Sequence, residues 1–95
     1  MINAEIAAVF TDIAEMLRLK KDNIFKIRAY EKVARAIVEL NVPVGQLVSE
    51  ERIGEIPGAG EAITRKITEL VTTGRLEYYE KLKKEFPERA SRAGA

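Results

Sequence analysis

Apolar residues recur every three to four positions along almost the whole chain, and prolines and glycines cut that pattern into pieces. Ile6, Val9, Phe10, Ile13, Met16 and Leu17 form the first stripe and predict a helix over 3–20, with Asn3 as N-cap and Glu5 near its positive end. The polar run from Lys20 to Asn23 closes it. Ile27, Tyr30, Val33, Ala34, Ile37 and Leu40 predict a second helix over about 24–40, ended by Asn41-Val42-Pro43 because proline cannot continue the hydrogen-bond ladder. Val44, Leu47, Val48, Ile53 and Ile56 predict one or two short helical turns within 44–56. Pro57-Gly58-Ala59-Gly60 is a tight turn. Ile63, Ile67, Leu70 and Val71 predict a helix at about 61–73, with Gly74 just past its end. A last helix at about 75–85 carries Leu76, Tyr79, Leu82 and Phe86 inward before Pro87; Tyr78 and Tyr79 are read as facing opposite ways, with Tyr79 buried. No stretch alternates with the period of a strand. The expected fold is all-α, a compact bundle of four main helices plus a short one, in one domain over 1–87 with a flexible tail at 88–95.

Composition excludes several kinds of chemistry. A chain of 95 residues that is 46% hydrophobic builds one core and is too apolar for disorder. It has no Cys, hence no disulfide, thiolate metal site or thiol nucleophile, which suits a reducing, cytoplasmic setting. It has no His, which removes Ser-His-Asp catalysis and histidine-ligated metals. No apolar run approaches the ~18 residues of a membrane span, and the N-terminus lacks the basic start of a signal peptide. Glu50-Glu51 has no partner spacing for a metal and is read as favourable charge near a helix start.

The net charge is only +1, but the charges are not evenly spread. Residues 18–35 hold seven basic side chains against Asp22 and Glu31, and residues 62–84 hold six against Glu69, Glu77 and Glu80. The stretches between and before them are acidic. If the second helix and the helix after the glycine turn share a face, that face is a cationic patch suited to a polyanion. Solvated helix faces in a chain that is 33% charged produce similar runs.

The segment from Ile53 to Ile67 is the strongest local signal: a short apolar turn, Pro-Gly-x-Gly, then an amphipathic helix. Gly58 and Gly60 permit torsions closed to other residues and close backbone approach. The helix beyond starts with unpaired amides and the positive end of its dipole. Together, Gly58, Ala59, Gly60, Glu61 and Ala62 would form a main-chain phosphate cradle that reads no base sequence, with Arg65 and Lys66 one turn on. An ordinary tight helix–helix turn would use the same glycines for packing alone.

Ile56-Pro57-Gly58-Ala59-Gly60 followed by Ala62-Ile63-x-x-Lys66-Ile67 resembles a helix-hairpin-helix DNA-binding motif. The wider chain agrees: Asn3 to Ala7, Lys21 to Tyr30, Ala34 to Ile37 and Thr73 to Leu82 resemble the N-terminal domain of family X DNA polymerases (the DNA polymerase beta family), most closely its bacterial and archaeal members, over about residues 3–87. The resemblance implies binding of gapped, nicked or ended DNA on its 5′-phosphate side, with a polymerase catalytic region in cis or in trans. It places a Schiff-base lysine of a 5′-deoxyribose-phosphate lyase on Lys66, a phosphate-pocket tyrosine on Tyr30 and a pocket lysine on Lys26. It also implies a monovalent cation, K+ or Na+, on the backbone carbonyls of Ile53, Ile56 and Ala59. The family's pocket histidine is Phe25 here, a second pocket lysine is Ala62, and further basic positions are Gly54 and Tyr78, so the pocket is thinned. No polymerase palm is present in this sequence.

The leading expectation is a non-sequence-specific DNA-binding module, using the hairpin together with Lys26, Arg28, Tyr30 and Arg35 of the second helix. Two alternatives stand beside it. One is a lyase acting through Lys66, which lies beside the apolar stripe where partial desolvation would favour the free amine, while Glu69 at i+3 would favour the charged form. The other is a purely structural or protein-docking helical domain.

Overall fold

The computed structural model describes residues 1–87, so the tail expected at 88–95 lies outside the described residues. The helices are α1 (Asn3–Leu19), α2 (Ile24–Glu39), α3 (Val44–Ser49), α4 (Glu61–Thr73) and α5 (Glu77–Lys84), with a single 3₁₀ turn at Ile53–Glu55 before α4. There is no strand among the described residues, and the fold is the all-α bundle expected. α1 lies along α2, and α4 and α5 also pack on α1. Phe10, Ile13, Met16 and Leu17 of α1 share one buried cluster with Ile27, Val33 and Ile37 of α2, and Ile53, Ile56, Ile67, Leu70 and Leu76 complete it. Val9, Leu40, Val48, Val71 and Phe86, expected inward, are half-buried at its rim.

The helix ends show how local chemistry sets the frame. Ile2, not Asn3, is the N-cap of α1, and the Glu5 carboxylate accepts a bond from the Ile2 amide at 2.9 Å. Asn3 does something else. Its Nδ2 donates to the Val42 carbonyl and its Oδ1 accepts from the Val44 amide, both at 2.9 Å, which fastens α1 to the start of α3. This satisfies an amide that Pro43, the N-cap of α3, has no side-chain acceptor to reach. α2 opens on Asn23, whose Oδ1 accepts from the amides of Phe25 (2.8 Å) and Lys26 (3.4 Å). Glu50 and Glu51 stand at the end of α3 rather than at a helix start, and Arg52 holds Glu50 and Glu55 at 2.9 Å each.

Both tyrosines of α5 are half-buried, against the expectation that only Tyr79 would be. Consecutive residues on a helix stand about 100° apart, not opposite, so both flank the buried Leu82 one turn away. The Tyr79 hydroxyl donates to Asp12 at 2.8 Å and ties α5 to α1.

Candidate nucleic-acid interface

The bend between the 3₁₀ turn and α4 rests on the backbone of α2. Gly58 has φ +91°, and a Cβ there would stand 3.1 Å from the Val33 nitrogen and 3.3 Å from both the Ala29 carbonyl oxygen and Lys32 Cβ. Only glycine fits such a slot. Gly60 is different, and corrects the sequence reading: φ −75° and ψ −175° are open to any residue, and a Cβ would meet nothing within 4 Å. Its lack of a side chain leaves free space in front of α4.

The amides divide in the same way. The Ala59 amide donates to the Ile56 carbonyl at 3.0 Å and the Gly60 amide to the Gly58 carbonyl at 3.1 Å, so the bend uses both internally. The first bond into α4 runs from the Thr64 amide to the Gly60 carbonyl at 2.8 Å. Among the described residues, the amides of Glu61, Ala62 and Ile63 have no protein acceptor, and they open beside the bend at the positive helix end.

A groove runs along this junction, with Lys26 and Tyr30 from α2, Gly58 and Gly60 from the bend, and Ala62 and Lys66 from α4. The two basic segments of the sequence meet here. Lys66 Nζ lies 4.7 Å from the centroid of the Tyr78 ring and Lys26 Nζ 5.5 Å from the same centroid. Among the described residues, Lys26 has only a loose carboxylate neighbour, Asp22 at 3.9 Å. Partial burial pushes the Lys66 amine below its ordinary pKa, and the nearby cations Lys26 and Arg65 push the same way, while Glu69 opposes them. Tyr30 is 2% exposed and stacks between Phe10 and Tyr78, at centroid distances of 6.0 and 6.3 Å. Burial first, and then Tyr78, raise its hydroxyl pKa well above the usual tyrosine range.

The remaining sequence candidates are spread more widely. Arg65 is exposed and lies 3.7 Å from Glu61. Arg28 and Arg35 are exposed and do not line the groove; with Lys32 they form an i, i+4, i+7 row on α2. Lys32 borders the Gly58 slot and belongs to no motif, so only the contact between elements reveals it. Tyr78, the ring both lysines share, stands where the resemblance to family X polymerases expects a basic residue, and was not among the expected DNA contacts.

The carbonyls of Ile53, Ile56 and Ala59 each accept one internal bond, from the Ile56 amide, the Ala59 amide and the Thr64 hydroxyl respectively. Each keeps a second lone pair, and neutral carbonyl oxygens are a donor set that fits a monovalent cation. Among the described residues no cluster of acidic side chains could hold a metal ion.

Two helices joined through a glycine bend, the second presenting open amides, define a helix-hairpin-helix module. The family model for the helix-hairpin-helix domain matches residues 1–76, and the chain belongs to that family. Domains of this family generally bind DNA without reading its sequence. No curated protein matches the chain. Among the described residues no helix is long and apolar enough to cross a membrane.

Proposed function

We propose that this domain binds the 5′-phosphate side of gapped, nicked or ended DNA, with the phosphate in the groove between α2 and α4. The convergence of three open amides with Lys26 and Lys66 carries this reading. Amides suit any backbone phosphate. Two lysine ammoniums at one ring add a preference for the higher charge of a terminal phosphate, about −2, over the single charge of a diester. The carbonyls of Ile53, Ile56 and Ala59 would hold a K+ or Na+ ion, which would add positive charge at the bend. The likeness to family X polymerases supports a polymerase catalytic region, in cis or in trans, as the working partner in gap repair. Titrating gapped DNA with and without its 5′-phosphate tests the reading. Tighter binding of the phosphorylated form is expected; equal affinity overturns the end preference, and no binding at low salt overturns DNA binding altogether.

A second reading is favoured by the position of Lys66, half-buried in the groove beside Lys26, where partial burial works against the charged amine. As a free amine, Lys66 would attack the C1′ aldehyde of a 5′-deoxyribose phosphate and lose water to form a Schiff base. β-Elimination would then pass the C2′ proton to water, break the C3′–O bond and leave a 5′-phosphate on the DNA, and hydrolysis of the remaining imine would release the unsaturated sugar and free Lys66. Borohydride reduction of a mixture with such DNA should trap a covalent adduct. No adduct, or an adduct that survives Lys66→Ala, removes Lys66 from this role.

A further inference from the structure

Phe10, Tyr30 and Tyr78 form an aromatic column that runs from the core to the surface. Phe10 is 0% exposed, Tyr30 is 2% exposed and Tyr78 is half-buried. Their planes are nearly parallel, 16° apart for the first pair and 7° for the second. The next residue, Tyr79, is anchored to Asp12, so the start of α5 is fixed as well. The Tyr78 ring therefore has a set orientation where the lysines meet. Two like charges would ordinarily spread apart in water. Here both remain at one ring, whose negative face attracts a cation. We infer that Tyr78 is a positioning residue: its ring holds Lys26 and Lys66 side by side, so that the two ammoniums grip one terminal phosphate together. This inference rests on the DNA-end reading above and assigns Tyr78 a part in it. The likeness to family X polymerases places a basic residue here, so in this chain the ring performs a different job, organising charge that other residues carry.

The groups facing Lys66 are Lys26 from α2, Arg65 and Glu69 from its own helix, and Glu77, Tyr78 and Lys81 from α5. Removing the ring exposes the Lys66 amine and lets Lys26 drift away. Both changes return the amine toward its ordinary pKa.

The test compares Tyr78→Phe, Tyr78→Leu and Tyr78→Met in the full chain, each checked for cooperative unfolding, with Lys26→Ala/Lys66→Ala as control. The probes are gapped DNA with and without a 5′-phosphate, and the pH dependence of Lys66 labelling by an amine acylating reagent. Tyr78→Phe should match the parent. Tyr78→Leu and Tyr78→Met should lose about fivefold in affinity for the phosphorylated DNA, little for its unphosphorylated twin, and shift the labelling profile of Lys66 to higher pH. If the control loses affinity while Tyr78→Leu and Tyr78→Met bind like the parent, the positioning role is wrong and the DNA-end reading stands. If Tyr78→Phe is as weak as Tyr78→Leu, the ring is not what matters, which also overturns it. If the lysine control itself binds phosphorylated DNA as the parent does, the underlying reading fails.

Discussion

Gly58 and Val33 stand so close that the space for one β-carbon is missing: it would lie 3.1 Å from the Val33 nitrogen. The φ of +91° at Gly58 adds a second penalty for any side chain. Gly58→Ala should therefore destabilise the fold by about 2–4 kcal/mol, combining left-handed strain with overpacking. Urea unfolding measures this, and an unchanged midpoint would mean that the bend does not rest on α2 as described.

Gly60 gives the opposite prediction. Its torsions are ordinary and a Cβ has open space, so Gly60→Asp should fold at least as well as the parent. A carboxylate at the N-cap accepts from the open amides of α4, worth about 0.5 kcal/mol relative to glycine. The same carboxylate occupies the amides and repels phosphate, so DNA affinity should fall more than tenfold. Thermal unfolding and DNA titration on one sample separate the two effects. Intact binding in the stable variant would exclude the first turn of α4 as the phosphate contact.

Salt should weaken binding steeply. With Lys26, Lys66 and a neighbouring cation such as Lys32 each neutralising one phosphate charge, the log–log slope should be about −2 to −3. Affinity should then fall roughly fifteen- to sixtyfold between 50 and 200 mM salt. Lys66→Ala should reduce the slope by about one. A flat salt dependence would mean that apolar contact, not charge, holds the ligand.

Alkaline pH should unfold the domain through Tyr30. Burial raises its folded-state pKa above the ordinary value of 10.0, so the folded form keeps its proton where the unfolded form releases it. The stability linked to this proton is fully present below pH 10 and is lost as pH rises beyond it. Tyr79, also raised by burial, adds in the same direction. Tyr30→Phe should flatten the fall in stability above pH 10, measured by urea unfolding across that range. An equally steep fall would assign alkaline unfolding to other groups.

The helices were legible in the sequence because each is a stripe of apolar residues cut off by a strong breaker, such as Pro43 or Gly74. The hairpin was legible because few arrangements put two glycines between a proline and an amphipathic run. What stayed hidden depended on contacts between distant segments. Asn3 looks like a cap, yet its amide bonds to Val42 and Val44, 39 and 41 residues along. Gly58 and Gly60 look alike in sequence, but only one has α2 against its Cα. Arg28 and Arg35 share a basic segment with Lys26, but helical rotation turns them away from the groove that Lys26 lines. Nothing in the order of residues announces that Lys26 and Lys66 share the ring of Tyr78.

The aromatic column has an optical consequence. The chain has no tryptophan and only three tyrosines, two of which stack in that column, with the outer ring against both lysines. Intrinsic ultraviolet emission therefore originates largely at the groove itself. Arrival of an anion between the ammoniums alters the surroundings of that fluorophore, so the domain carries a built-in, label-free reporter of its own occupancy.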